Sequence, residues 1–252
     1  LPVRKVPNNT MEYFHSTERH PWSAPAALCY YEANRGSAED IYPSERVFLA
    51  DALNSAATVL DIGCAAGGFA RALREIKPDL SYTGVDVTPA MVESARRQFP
   101  DDNFQVIDGR HLPFPDDSFD VAICYGVLHM TMDWRELLGE GWRVCRKTLL
   151  FDLRLTDSIG VCNPNISYQK LAFDGEWDGE SVAPYIVLNH REALAALQDL
   201  IPPCSLQGYG YIGPVSGNTV SSYREVCMAA FCLSKSVGRA SITRWDIPFP
   251  LI

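Results

Sequence analysis

Residues 58–68 read Thr-Val-Leu-Asp-Ile-Gly-Cys-Ala-Ala-Gly-Gly, and this stretch decides the fold. Its first five residues are apolar or β-branched apart from one aspartate, which predicts a buried strand. The small residues that follow predict a tight turn into a helix, letting backbone approach a ligand with the helix N-terminus facing it. Outward from there the chain alternates. Helices are expected over about 68–76, where Pro78 ends the run, over 89–99 and over 134–144. Pro89 opens the second of these, at a position where its missing N–H costs nothing. Strands are expected over 82–86, 104–108, 119–124 and 148–153. Such alternation over short connections predicts a parallel sheet covered on both faces. Right-handed crossovers then bring the carboxyl ends of the strands to one edge, where ligands bind.

The flanks differ from this centre. Residues 1–24 are polar and contain prolines, and two short helices are expected over 25–32 and 42–54. Residues 158–188 read as irregular, rich in Trp and Asp, before a helix over 190–200. Two late strands, 205–213 and 225–233, have no room for a crossover helix between them and predict an antiparallel pair at one sheet edge. The expectation is a doubly wound, Rossmann-like α/β sheet of seven strands, mostly parallel with an antiparallel edge. The division is an N-terminal arm (1–55) acting as a lid, a cofactor-binding core (56–157), a substrate-shaping insert (158–189), and the remaining helix and edge strands (190–252).

The 252 residues carry 22 Lys+Arg against 31 Asp+Glu, a net charge of −9, which disfavours a general nucleic-acid binder because it leaves no broad basic face. An apolar content of 47% with 21% charged residues is that of a globular protein and excludes disorder and coiled coil. No apolar run approaches the roughly 20 residues of a membrane span. The eight cysteines show no CxxC and no zinc spacing, so they read as reduced core residues and no metal is expected. The first ten residues lack the apolar segment of a secretory signal, and a cytoplasmic location is the default expectation.

Three acids sharpen the reading of the glycine turn. Asp61 precedes the first glycine by two residues, where dinucleotide folds usually hold an apolar side chain. Asp86 ends the second strand, placed to accept from both hydroxyls of a ribose. Asp108 ends the third, placed to accept from an adenine amino group. With Leu-Pro-Phe-Pro-Asp-Asp-Ser-Phe-Asp over 112–120 and Val-Leu-His over 127–129, the run from 58 to about 157 resembles the class I S-adenosylmethionine-dependent methyltransferases. Their signature is Asp-Ile-Gly-Cys-Gly-x-Gly, and Ala65 stands here at the second glycine.

The resemblance implies S-adenosylmethionine as cofactor. Asp61 would meet its methionine amino group, and Gly63, Cys64, Ala65 and Gly67 would form the turn beneath it. Asp86 would bind the ribose and Val87 lie beside the adenine, whose edge Asp108 and Gly109 would read. Cys124 and Tyr125 would contact the methionine end. Methyl transfer needs alignment and exclusion of water, and an oxygen or nitrogen acceptor can also need a general base. His129 is the first candidate for that base and Tyr125 the second, with pocket lining as the plainer role for each. The expected function is methyl transfer to an oxygen or nitrogen of a small molecule, by a protein that could pair as a homodimer. The alternatives are a catalytically silent cofactor-binding subunit and an enzyme that modifies the cofactor or transfers its aminopropyl group. A nicotinamide-dependent dehydrogenase shares the glycine turn but not Asp61.

Substrate identity is expected in the flanks. Tyr13, Phe14, His15, Trp22, Tyr30 and Tyr31 make the arm aromatic. Arg35 could reach a carboxylate. The segment 173–185 combines four acids with aromatics, suited to a cationic or sugar-like substrate, although a solvated loop is the plainer reading.

Overall fold

A computed structural model describes residues 21–34, 36–173, 177–200, 205–235 and 241–250. Tyr13, Phe14, His15 and Arg35 lie outside these described residues, as do Cys204, Asp174 and Glu176.

Two N-terminal helices, α1 (Pro25–Ala33) and α2 (Pro43–Asn54), both start at a proline. The alternating centre follows: β1 (Thr58–Ile62), α3 (Gly68–Ile76), β2 (Ser81–Asp86), α4 (Pro89–Gln98), β3 (Asn103–Val106) and β4 (Phe119–Cys124). Then come α5 (Trp134–Val144) and the long β5 (Cys145–Thr156). The remainder is β6 (Tyr168–Lys170), β7 (Val182–Pro184), β8 (Leu188–Asn189), α6 (His190–Leu200), β9 (Ser205–Pro214), β10 (Thr219–Val220), β11 (Glu225–Ser234) and β12 (Ser241–Asp246).

The main sheet runs β12-β9-β11-β5-β4-β1-β2-β3, with β8 beside β5. Neighbours within β5-β4-β1-β2-β3 are parallel, and β11 alone runs against them, antiparallel to both β5 and β9. The expected architecture is present, with two refinements. Nine strands stand where seven were expected, the additions being the two-residue β8 and β12. The antiparallel strand, β11, lies between β5 and β9 rather than at the edge, and β12 adds in parallel outside β9. The stretch read as irregular contains β6 and β7, which join β10 in a second, three-stranded sheet. Two- and three-residue strands carry too little alternation to be seen in a sequence.

Successive residues of a strand face opposite sides, and β1 shows it. Val59 packs into the layer formed by Phe48, Leu49 and Leu53 of α2, Phe69 and Leu73 of α3, and Val92 of α4. Leu60 and Ile62 pack into the other layer, with Trp134, Leu137 and Leu138 of α5 and Leu197 of α6. Five cysteines are buried in these layers, whereas Cys29 and Cys162 are exposed; all seven described are free thiols. Among the described residues, no helix is long and apolar enough to cross a membrane.

The starting ends of the strands are tied by one carboxylate. Asp120 Oδ2 accepts the N–H groups of Ala57 and Thr58 at 2.8 and 3.3 Å. Its Oδ1 meets Arg146 and Lys147, at 2.9 and 3.0 Å. Burial alone would raise the pKa of Asp120, but these partners together hold it well below the usual carboxylate range.

Candidate active site

The functional edge is the opposite one. Gly63, Gly67 and Gly109 all have φ of +83°, a left-handed conformation that glycine adopts without penalty. At Gly63 an added Cβ would fall 2.3 Å from Val127 Cγ2, so the turn after β1 is closed on the segment after β4. Ala65 is left-handed too, at φ +46°, where a methyl group is strained. Its N–H donates to Asp86 Oδ2 at 3.0 Å, while Thr88 N–H donates to Asp86 Oδ1 at 2.8 Å. Asp86 thus locks the turn to the end of β2. Burial raises its pKa, opposed by these N–H groups.

These residues surround a first cavity, lined by Gly63, Ala65, Asp86, Val87, Asp108, Gly109 and Tyr125 together with Ile107, Thr88 and Val127. Asp108 sits at its mouth with a side chain 61% exposed. Oδ1 of Asp108 accepts the N–H groups of His111 and Arg110, and these bonds lower its pKa. A smaller cavity behind the turn is lined by Asp61, Cys64, Ala66 and Asn34, and shares Gly63, Ala65, Tyr31 and Tyr125 with the first. Asp61 is buried there and accepts the hydroxyl of Tyr82. Gly67 serves as the residue before α3 and borders neither cavity. Cys124 is also absent from both linings; it is buried, and burial pushes its thiol pKa up.

The first cavity fits the cofactor implied by the sequence. A carboxylate has about four acceptor positions, so Asp86 retains some for a diol after accepting two backbone N–H groups. Left-handed glycines hold backbone rather than side chains against the space, as a flat nucleoside requires.

A second cavity, of about 310 Å³, adjoins the first and shares Trp22, Tyr31, Gly126 and Met130 with it. His129 and Arg154 belong to its wall, with Tyr42, Gln169, Lys170, Phe173, Tyr185 and Met228. The imidazole of His129 is buried, edge-on to the Tyr185 ring at 5.5 Å, with Nδ1 4.0 Å from Asp152 Oδ2. That separation is an electrostatic contact rather than a hydrogen bond. Asp152 and Arg154 stand two apart on β5 and are bonded to each other; Asp152 Oδ1 also accepts Gly126 N–H at 2.6 Å. Burial works against the charge of Arg154, but Asp152 beside it keeps the guanidinium pKa above its ordinary value.

Trp22, Tyr30 and Tyr31 of the N-terminal segment meet Phe173 of the insert, with ring centroids 5.3–5.9 Å apart. The arm and the insert therefore both contribute to the wall of the second cavity. Of the insert's acids, Asp178 and Glu180 are exposed, with Asp178 accepting the N–H groups of Glu180 and Ser181, and neither lines the cavity. The second candidate base, Tyr125, donates its hydroxyl to the Glu45 carbonyl at 3.1 Å, and burial raises its pKa. Both observations describe a wall residue.

Sequence reasoning missed Asp152, Arg154, Gln169 and Lys170. A signal was present for the first two: Phe-Asp-Leu-Arg-Leu over 151–155 sets two opposite charges two apart in an otherwise apolar run.

Residues 60–150 match the family model described as a methyltransferase domain. Among curated relatives, the demethylmenaquinone methyltransferase of Thermotoga maritima is 37% identical over 90 residues, 35% of this chain and 39% of that one. The phthiotriol/phenolphthiotriol dimycocerosates methyltransferase of Mycobacterium leprae is 28% identical over 174 residues, 66% of this chain and 64% of that one. The chain thus spans less than two thirds of each of these relatives. Among solved structures, a SAM-dependent methyltransferase from Methanosarcina mazei superposes with a TM-score of 0.55 at 17% identity, covering 79% of this chain and 99% of that one. The N-terminal domain of EvdMO1, crystallised in the presence of SAH and D-fucose, gives a TM-score of 0.52 at 16% identity, covering 81% and 88%. These two structural likenesses speak to the fold.

Proposed function

We propose that this chain, in which residues 60–150 form a class I S-adenosylmethionine-dependent methyltransferase domain, transfers a methyl group to an oxygen or nitrogen of a small molecule held in the second cavity. The observation that carries this reading is the junction, because Trp22, Tyr31, Gly126 and Met130 border both cavities. A cofactor in one space and an acceptor in the other would meet there. When bound, the cofactor supplies an electrophilic methyl group on a sulfonium whose departure leaves a neutral thioether.

The chain's own residues bind, align and move a proton. Gly63, Ala65 and Gly109 hold backbone against the nucleoside, Asp86 accepts the ribose hydroxyls, and Val87 packs on the base beside Asp108. Asp61, in the small cavity behind the turn, receives the amino end. Tyr125 walls the methionine end, over the buried Cys124. His129 takes the acceptor's proton at Nε2, since Nδ1 is turned toward Asp152, whose charge stabilises the imidazolium. The arm and the insert exclude water by their aromatic contact. The size and the aromatic lining of the second cavity favour a small molecule over a nucleic acid, in keeping with the net charge of −9. They also weigh against a silent cofactor-binding subunit, which has no use for such a space.

Calorimetric titration with S-adenosylmethionine, S-adenosylhomocysteine and NAD tests the reading. Micromolar binding of the first two and none of NAD is expected, and binding of NAD alone overturns it. Asp86→Ala removes a charged partner of two hydroxyls and should weaken S-adenosylhomocysteine by about 2 kcal/mol, roughly 30-fold. Undiminished affinity in that variant removes Asp86 from the site.

A further inference from the structure

The wall of the second cavity is basic although the chain as a whole is acidic. Among the described residues, Arg154 and Lys170 line it and no carboxylate does. The carboxylates whose charge acts on Arg154 are Asp152 and Glu45, both buried. Arg154 is itself 93% buried, with 7% of its surface exposed. Burying a guanidinium is costly unless its donors are used. A guanidinium has five N–H donors in a planar fork. Among the described residues, Arg154 spends one on Asp152 and meets the Tyr185 phenol. Among the described residues Arg154 has no further hydrogen-bond partner, and it lines the cavity.

From this we infer that the methyl acceptor is an organic acid, with a planar apolar body between the aromatic walls and its carboxylate on Arg154. The inference rests on the methyltransferase reading and adds the chemical class of its substrate. Asp152 fixes the fork rather than cancelling it: the carboxylate occupies one side of the guanidinium and orients the other. A planar fork matches a carboxylate through two parallel bonds, which an ammonium cannot do. Lys170, whose ammonium lies 5.0 Å from the centre of the Trp177 ring, adds a second positive charge beside it. Phe173, Tyr30 and Trp22 supply flat apolar surface for the body of the molecule. A cationic acceptor would meet two positive side chains instead, so the wall disfavours the amine that the insert's acids had suggested.

The test uses the full chain saturated with S-adenosylhomocysteine and three probes of one shape: 4-hydroxybenzoate, 4-hydroxybenzyl alcohol and 4-hydroxybenzylamine. Calorimetry should give the acid at least about tenfold tighter than the alcohol, with the amine weakest. Arg154→Lys keeps the charge and the partner Asp152 but loses the fork, and should lower acid affinity about tenfold while leaving S-adenosylhomocysteine binding unchanged. Lys170→Gln, a partly exposed position that does not threaten folding, should narrow the preference for the acid. Equal binding of the three probes, preference for the amine, absence of binding by all three, or an undiminished acid preference in Arg154→Lys would each overturn the inference. Failure of S-adenosylhomocysteine to bind would instead strike the cofactor reading. The acid preference and its loss in Arg154→Lys would then be read on the free protein.

Discussion

The two cavities lie side by side and are built in different ways. The first is made largely of backbone: left-handed glycines, strand ends, and one carboxylate that ties Ala65 to Thr88. Most of it follows the carboxyl ends of β1, β2, β3 and β4, with Trp22 and Tyr31 added from the arm and Met91 and Leu137 from α4 and α5. The second is made of side chains brought from the arm, the turn after β4, β5, the insert and β11. A backbone site constrains residue type position by position, because only small residues or glycine can occupy it. A side-chain site leaves each contributor free to vary. One fold can therefore hold one cofactor while its acceptor changes.

The largest test of this contrast is a change that should affect one cavity only. His129→Asn removes the proton acceptor and should lower kcat about 100-fold, the size of a general-base contribution, with the affinity for S-adenosylhomocysteine kept. Turnover measured above the pKa of the acceptor should recover part of the loss, because a deprotonated acceptor needs no base. An equal loss of cofactor binding would mean that the cavities are not separable. Unchanged kcat would leave His129 as lining.

A smaller effect is expected from the far end of the same strands. Asp120 has a pKa held below its unfolded value, so it adds stability above the unfolded pKa, and this is lost as the pH falls through the folded one. Asp120→Asn should lower unfolding free energy at neutral pH by about 2 kcal/mol and flatten its decline below about pH 4. Cofactor affinity should not move, since the turn is closed locally by Val127 and Asp86. Denaturant titrations from pH 7 down to pH 2 check this, and a parallel loss of cofactor binding would show that the turn depends on the foundation of the strands.

The same contrast explains what could be read from the sequence. Asp61, Gly63, Asp86 and Asp108 were legible because a strand, a small-residue turn and acids at strand ends fall at short, regular spacing. The central strands and their helices were legible for the same reason. Arg154 and Lys170 were not, since what makes them a wall is how residues 158–173 and 177–188 fold beside β5. That stretch contains strands of two and three residues, too short to show alternation. The outer strand β12 went unread for a related reason. The pairing of β12 with β9 in parallel is a long-range contact across a register shift, and nothing local in Ser-Ile-Thr-Arg-Trp-Asp announces it.

The finest test concerns Ala65, where the backbone rule is broken. At φ +46° an alanine pays about 1–2 kcal/mol that glycine does not. Glycine in turn has about 0.4–1 kcal/mol more freedom to lose from the unfolded chain. Ala65→Gly should therefore stabilise the protein by roughly 0.5–1 kcal/mol, seen as a higher denaturation midpoint with unchanged slope. The N–H that Ala65 gives to Asp86 survives the substitution, so the geometry of the turn is kept and the affinity for S-adenosylhomocysteine should change by no more than about twofold. A large gain in affinity would mean that the methyl group intrudes on the cofactor, and the first cavity would then depend on a side chain after all. A loss of stability would mean that the methyl group is held by the cluster it packs against, Ala27, Ala66 and Met91, more strongly than the backbone resents it. In that case the arm, and not the turn alone, shapes the floor beneath the cofactor.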